Sequence, residues 1–139
     1  MTESKTIGGV TQAIAASALR AQQARMRIIA ENLANSNSTS RSPGGDPYRR
    51  QIPVFQPTKV AGALGVTMAR VQADPTEFKS NYEPGNPAAD KQGYVKEPNV
   101  DPLIEALDMK EAQRAYEANL NVIETMRSMD SRTLDLLKK

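Results

Sequence analysis

Apolar residues at helical spacing dominate the first part of the chain. From about Val10 to Asn35 they recur every three or four positions. One stripe contains Leu19, Met26, Ile29 and Leu33, and a second contains Ile7, Val10, Ile14, Ser17, Ala21, Ala24 and Ile28. Because two stripes require two buried faces, this long helix is predicted to pack among several neighbours. The short polar side chains of residues 35–40 compete for backbone hydrogen bonds and are predicted to end it.

The last part of the chain predicts a second long helix with a well-marked start. Asp101 is a predicted N-cap, and Pro102 fits the first helical position, where its missing N–H is harmless. Steps of three and four, typical of a coiled-coil seam, connect Ala112, Ala115, Asn119, Val122, Met126, Met129, Thr133 and Leu136. A neighbouring stripe contains Tyr116, Leu120, Ile123, Leu134 and Leu137.

The middle of the chain differs from both ends in composition. All nine prolines lie within 43–102, and six of the eight glycines lie within 44–93. This predicts two terminal helical segments, 1–42 and 101–139, around a Pro/Gly-rich insert at 43–100. In the insert we predict short strands at 51–55 and 66–71, with a turn at 61–65, followed by a loop over 74–99.

These patterns predict a mainly α fold. Long N- and C-terminal helices pair in a coiled-coil-like layer, and a small irregular β/loop insert lies between them. Leu, Ile, Val and Phe make up only 26 of 139 residues, near the level below which a chain struggles to bury a core. A core this small is expected to need partners to finish folding.

The residue types present also limit the chemistry. The sequence has no Cys and no His, so thiol nucleophiles, thiolate zinc sites and the commonest general base are excluded. We expect no enzyme activity, no cofactor and no metal site. The sequence has no apolar run long enough to span a membrane and no readable cleavable signal peptide, so we expect no membrane insertion.

The sequence contains two charged clusters that are candidate sites. Glu105, Asp108 and Glu111 lie near one another on the second predicted helix, and we interpret them as solvated carboxylates favoured by the helix dipole. Arginines concentrate early in the chain, at Arg20, Arg25, Arg27, Arg41, Arg49 and Arg50. Helical phase spreads the first three around the helix, and the net charge is only +2, so nucleic-acid binding is not expected.

Several segments have the character of a known family. They are LRAQQARMRIIAENLANS at 19–36, DPYRR at 46–50, PGNPAAD at 84–90, GYV at 93–95, PNVD at 98–101 and RAYEANL at 114–120. The first and last resemble the terminal motifs of bacterial flagellar axial proteins. The central block and the short length resemble the proximal rod proteins of that family.

The resemblance implies a structural subunit of the flagellar basal-body rod, a helical tube that transmits torque from motor to hook across the periplasm. It implies assembly with other rod proteins and with copies of this chain. It also implies export by the flagellar type III apparatus without a cleaved signal peptide. Paired terminal helices would form the inner layer, with the insert outside.

Subunit packing is the expected role of the stripe and motif residues. We expect Leu19, Met26, Ile29 and Leu33 to pack against Tyr116, Leu120, Ile123 and Met126, or against their counterparts in adjacent subunits. The remaining candidates are Asn32, Asn35, Arg114 and Asn119. For the three asparagines, fixing helix ends and register is as plausible as direct intersubunit hydrogen bonding. A coiled-coil adaptor that binds partners remains the alternative function, because the seams alone would also suit it.

Overall fold

The computed structural model describes residues 2–138, and side chains from residue 8 onward. Its elements, in chain order, are α1 (Thr2–Ala34), β1 (Gln51–Val60), β2 (Ala63–Ala73), β3 (Lys79–Tyr82), β4 (Tyr94–Glu97) and α2 (Pro102–Leu137). Two helices of 33 and 36 residues therefore flank two small sheets. The prediction of a mainly α fold with long terminal helices and a small β insert is confirmed.

Helix α1 is longer than the apolar pattern predicted. It begins at Thr2 instead of about Val10, so Gly8 and Gly9 lie inside it. Glycine weakens a helix interior, but Gly8 is buried, and a Cβ there would lie 3.3 Å from a carboxylate oxygen of Asp130. Close packing against α2 thus outweighs the local preference. The helix ends at Ala34, where the polar run was predicted to stop it.

Helix α2 starts as its sequence predicted. The backbone N–H of Leu103 donates to Asp101 Oδ1 at 3.0 Å, and Pro102 is the first helical residue. The side chain of Asp101 therefore satisfies one of the N–H groups that a helix leaves unpaired at its start. From there α2 runs without a break to Leu137.

The first sheet is a hairpin of β1 and β2, both longer than the predicted strands. Its two-residue turn places Ala61 at φ +50° and Gly62 at φ +82°. Two successive positive φ values are the signature of a type I′ turn, whose twist matches that of the flanking strands. Pairing therefore continues right up to the turn, and the predicted five-residue connection was too long.

The second sheet corrects the prediction of a loop over 74–99. β3 and β4 pair antiparallel, with Lys79 opposite Glu97 and Tyr82 opposite Tyr94. The two tyrosine rings pack edge to face at 5.4 Å. Gly93 has φ +88°, and a Cβ there would lie 2.9 Å from the Tyr82 ring. The Pro and Gly residues around these strands favoured a loop in the prediction, because each strand has only four residues.

The chain divides into two compact units. The first comprises 1–26, 54–70 and 111–139, and the second comprises 27–53 and 71–110. Small side chains fill the first core, with Ala15, Ala21, Ala112 and Ile123 buried. The second core contains Ile28, Ile29, Ala88, Val95 and Val100. Among the described residues, neither helix has a stretch apolar enough to cross a membrane.

Candidate subunit interface

Asn32 forms a buried polar link in the second unit. Its side-chain amide donates to the carbonyl of Gln51 at 2.9 Å, and its Oδ1 accepts from the N–H of the same residue at 2.9 Å. The Tyr48 hydroxyl also donates to Oδ1, at 2.8 Å. With 1% of its surface exposed, Asn32 acts as a strand partner for the start of β1. All three of these hydrogen bonds lie within the chain.

Arg50 lies at the centre of a second polar cluster in the same unit. Its guanidinium pairs with Glu105, with Asp74 at 3.2 Å and with Asp108 at 3.8 Å. Its backbone N–H donates to Asn99 Oδ1 at 2.7 Å. Burial disfavours the charged form, but Glu105 and Asp74 outweigh it, so the pKa of Arg50 is raised. The cluster joins β1, α2 and the segment after β2.

Glu105 corrects the interpretation of the acidic cluster as solvated. Only 1% of its surface is exposed, and one carboxylate oxygen bonds to Arg50 Nε. Asp108 is half-buried, and Glu111 is exposed. Helical spacing located the three carboxylates correctly, but the partner of Glu105 lies 55 residues away in sequence.

Burial, followed by the Glu31 and Glu105 charges, raises the pKa of Tyr48, so its hydroxyl remains a donor.

Arg49 and Asn99 hold the segment that follows β2. Both side chains donate to the carbonyls of Asp74 and Thr76, over distances from 2.8 to 3.1 Å. The Arg49 guanidinium also lies 4.2 Å from the centre of the Phe78 ring. An irregular segment is thereby fixed by charge-assisted bonds to its carbonyls and by a cation–π contact.

The first unit pairs segments of the two helices in antiparallel fashion. Gln12 Nε2 donates to Asp130 Oδ2 at 3.1 Å, and Arg25 lies 3.5 Å from Glu111. Counting from these two contacts sets Leu19 level with residues 117–123 of α2. Ala15, Ala21 and Ala112 are buried in this unit, and side chains of this size let two helices approach closely.

Packing inside the first unit uses only part of the predicted α2 seam. Ala112 is buried, and Asn119 and Met126 are half-buried. The alternate positions Val122, Met129 and Leu136 lie seven residues apart and are 42%, 54% and 74% exposed. We call these three residues the outer stripe. An apolar stripe at heptad spacing is the surface that one helix offers to another in a coiled coil.

In the second unit, the first two turns of α2 carry another exposed apolar patch. Leu103, Ile104 and Leu107 share one side of the helix and are all more than half exposed. Glu105 lies on the opposite side and is buried. Three large apolar side chains grouped on one solvent-facing side are typical of an interaction surface rather than of a finished monomer.

Comparison with known proteins identifies the family of the chain. Residues 13–41 match the model of the flagella basal body rod protein family, and 91–136 match that of the flagellar basal body rod FlgEFG protein C-terminal region. The chain is 48% identical to the flagellar basal-body rod protein FlgC of Agrobacterium fabrum, over 90% of this chain and 91% of that protein. The chain belongs to the FlgC family of flagellar basal-body rod proteins.

More distant relatives give the same assignment. The FlgC proteins of Salmonella typhimurium and Bacillus subtilis are 46% and 33% identical, over 88% and 90% of this chain and 92% and 95% of their own lengths. The chain is therefore a structural subunit of the flagellar basal-body rod. The segments that suggested the family from sequence contain Asn32, Tyr48, Arg50 and Asn99, which the structure brings together in the second unit.

The twelve predicted packing residues differ in their placement. Ile29, Asn32 and Ile123 are buried. Partial burial is shared by Leu19, Met26, Leu33, Asn35, Tyr116, Asn119 and Met126. Arg114 and Leu120 are exposed. The amide groups of Asn35, which directly follows α1, and of Asn119 in α2 donate to the carbonyls four residues earlier, those of Glu31 and Ala115.

Sequence reasoning missed part of both surfaces. The outer stripe lay in the predicted seam, but its members were not singled out as packing residues. The patch of Leu103, Ile104 and Leu107 was overlooked, although apolar residues at i, i+1 and i+4 of a capped helix were a readable signal. The Arg50 cluster had only a weak signal, a pair of arginines far in sequence from the acidic start of α2.

Proposed function

We propose that this chain polymerises with other rod proteins, and with further copies of itself, into a helical tube that spans the periplasm and transmits torque from motor to hook. Its role in that tube is structural rather than catalytic. The outer stripe is the observation that carries the proposal. Val122, Met129 and Leu136 are apolar and exposed, on a helix whose other side already packs within the subunit.

Burying the outer stripe and the Leu103 patch against neighbouring subunits supplies the driving force for assembly. Fully burying one large aliphatic side chain contributes about 1.5–3 kcal/mol. The six residues are 42–74% exposed, so burying the surface that is still exposed contributes on the order of 5–10 kcal/mol, which offsets part of the entropy lost on association. An interface that joins different faces of successive copies does not close on itself and grows as a helix.

Besides the outer stripe, we propose that the residues predicted from the sequence pack in this assembly, with the buried Ile29, Asn32 and Ile123 packing inside each subunit. We propose that the terminal segments 1–42 and 101–139 form the inner layer of the tube and that 43–100 lies outside it. The side chains that pack there are Leu19, Met26, Ile29, Asn32, Leu33, Asn35, Arg114, Tyr116, Asn119, Leu120, Ile123 and Met126. The chain reaches its place unfolded, through the flagellar type III export apparatus and without a cleaved signal peptide.

The experiment that tests this proposal follows the chain into the basal body. Hook–basal bodies are isolated from detergent-extracted cells, and the chain is quantified there and in cytosol by mass spectrometry. Leu120→Asp places a charge at an exposed apolar position of α2. We expect this variant to be synthesised normally but to be absent from basal bodies, in non-motile cells. Asn121→Asp adds the same charge at a neighbouring exposed polar position and should assemble.

Two results would contradict the proposal. Normal motility and incorporation of the Leu120→Asp chain would show that the predicted stripe of Tyr116, Leu120 and Ile123, on the side of α2 away from the outer stripe, takes no part in assembly. Confinement of the unaltered chain to cytosol in flagellated cells would favour the coiled-coil adaptor instead.

A further inference from the structure

The two compact units carry opposite formal charge. The first contains ten Lys and Arg against six Asp and Glu, a charge of +4, and the second contains eight against ten, a charge of −2. Opposite charges on two parts of one subunit favour contacts between the first unit of one copy and the second unit of another. Such contacts are head-to-tail, as an open helical assembly requires.

A groove of about 710 Å³ lies within the second unit. It is bordered by the segment after α1, by the region around β3 and by the segment leading into α2. The buried residues Val95, Pro98 and Val100 lie at its base. Hydroxyl and amide groups, including that of Asn37, line one wall. The base suits an apolar side chain, and the wall suits a peptide backbone.

The rim of this groove is acidic. Glu77, Glu83, Glu97 and Asp101 line it, with Lys79 as the single cation among the lining residues. None of these four carboxylates belongs to an ion pair within the part of the chain that the structure describes. Glu97 and Glu83 accept hydrogen bonds from the Asn81 and Asn86 side chains, and Asp101 accepts from the Leu103 N–H. These neutral donors leave the negative charge of the rim available to a cation brought by a partner.

The hairpin of the first unit has the complementary chemistry. Of the three segments that build this unit, only 54–70 carries Lys and Arg but no Asp or Glu. Its turn consists of Ala61 and Gly62, where type I′ turns usually have a polar Asn or Asp. Leu64, next to the turn, is 72% exposed, and Lys59 is exposed on the other strand.

We propose that the hairpin tip of one copy docks in the acidic groove of a second copy. Leu64 packs against the apolar base of the groove, and Lys59 meets the carboxylates of its rim. The small, nonpolar turn enters without burying a polar side chain. This inference rests on the proposed rod assembly, since docking in this way joins the first unit of one subunit to the second unit of the next.

The test uses the absence of cysteine from the chain. Two full-length variants, Leu64→Cys and Asn37→Cys, are given tags of different size and expressed together in flagellated cells. Mild oxidation of isolated basal bodies should join them into a covalent heterodimer, visible on a non-reducing gel. Gln92→Cys replaces Asn37→Cys in the control, because Gln92 is exposed in the same unit but does not line the groove. That pair should give background only.

Charge reversal tests the electrostatic part of the contact. Adding Lys59→Glu to the Leu64→Cys chain should lower the heterodimer yield about fivefold, as expected for loss of one favourable surface contact. Adding Glu83→Lys to the Asn37→Cys chain should restore it. Equal yields from the groove and control pairs, an unchanged yield with Lys59→Glu, or a cross-link to another rod protein instead would each overturn the proposal.

The same preparations separate this inference from the rod assignment. Mass spectrometry of the basal bodies reports whether each cysteine variant has been incorporated. A chain that is present in the basal body but forms no heterodimer refutes the docking contact and leaves the rod function intact. A cysteine-free chain that never enters the basal body refutes the rod function itself.

Discussion

Asn32 illustrates how a single buried residue can fix the junction between a helix and a strand. It satisfies both backbone groups of Gln51 and accepts the Tyr48 hydroxyl, so each polar atom of its side chain has a partner. The replacement Asn32→Asp keeps the shape but removes the donor, which leaves a carboxylate facing the Gln51 carbonyl. We expect a loss of about 2–4 kcal/mol in the free energy of unfolding, measured in urea by circular dichroism.

Asn37→Asp is the matched control for that substitution. Asn37 is exposed, and no hydrogen bond of its side chain is described, so the same chemical change should alter stability by less than about 0.5 kcal/mol. Equal losses of unfolding free energy for Asn32→Asp and Asn37→Asp would show that the added charge alone causes the loss. The buried hydrogen bonds of Asn32 would then contribute nothing to stability.

Asp74 makes part of the stability dependent on pH. Hydrogen bonds from the Thr76 side chain and backbone, and then Arg50, lower the pKa of Asp74 from its ordinary value of 3.8. Because the folded-state pKa lies below the unfolded one, its contribution is present above about pH 4 and is lost as pH falls through the lowered value. Asp74→Asn should cost about 1–2 kcal/mol at pH 7.

Urea unfolding of the two proteins across the acid range checks the sign of this effect. The difference in unfolding free energy between the unaltered chain and Asp74→Asn should shrink as pH falls below about 4. A difference that stays constant down to pH 2 would mean that the charge of Asp74 is not what stabilises the fold.

At the scale of elements, the hairpin of β1 and β2 depends on the lack of a side chain at Gly65. A Cβ there would lie 2.6 Å from Ser17 Oγ and 2.6 Å from Val60 Cγ2. Ser17 also accepts the Val66 N–H in the first unit, so it has little freedom to move. Gly65→Ala should therefore destabilise the protein by about 1–3 kcal/mol in thermal or urea unfolding.

Gly85 offers the matched control for this prediction. A Cβ at that position meets nothing within 4 Å, so Gly85→Ala should leave stability unchanged or raise it slightly through a less flexible unfolded chain. If Gly65→Ala proved as harmless as Gly85→Ala, the hairpin would not need its close contact with α1.

The sequence predicted the elements that are fixed by contacts between neighbouring residues. It did not predict those that depend on residues far apart in the chain. Asp101 and Pro102 start α2 through contacts within one turn, so they could be read directly. β3 and β4 are held by pairing between Lys79 and Glu97, and their four-residue strands carry no periodic signal. Burial of Glu105 depends on Arg50, and the link of Asn32 depends on Gln51; both partners are distant in sequence. The chemistry of these residues was readable, but their partners were not.

At the scale of the whole molecule, α2 carries one set of apolar residues that stabilises the folded subunit and another that is exposed for contacts between subunits. Ile123 is buried within the first unit, whereas Met129 of the outer stripe is more than half exposed. Truncating the Ile123 side chain should lower the stability of the monomer. Placing a charge at Met129 should weaken contacts between subunits. Ile123→Ala is expected to cost about 2–4 kcal/mol in unfolding free energy.

Met129→Glu tests the assembly half of this separation. The substitution places a charge in the middle of the outer stripe, where burial against a neighbour would desolvate it at high cost. We expect an unfolding free energy within about 0.5 kcal/mol of the unaltered chain, together with loss of the chain from isolated basal bodies. Ser131→Glu, two residues along and about 200° around the helix, is the exposed control and should be incorporated. Incorporation of both variants at equal levels would mean that the outer stripe stays in solvent in the assembled rod, and the contacts between subunits would then have to lie on other faces.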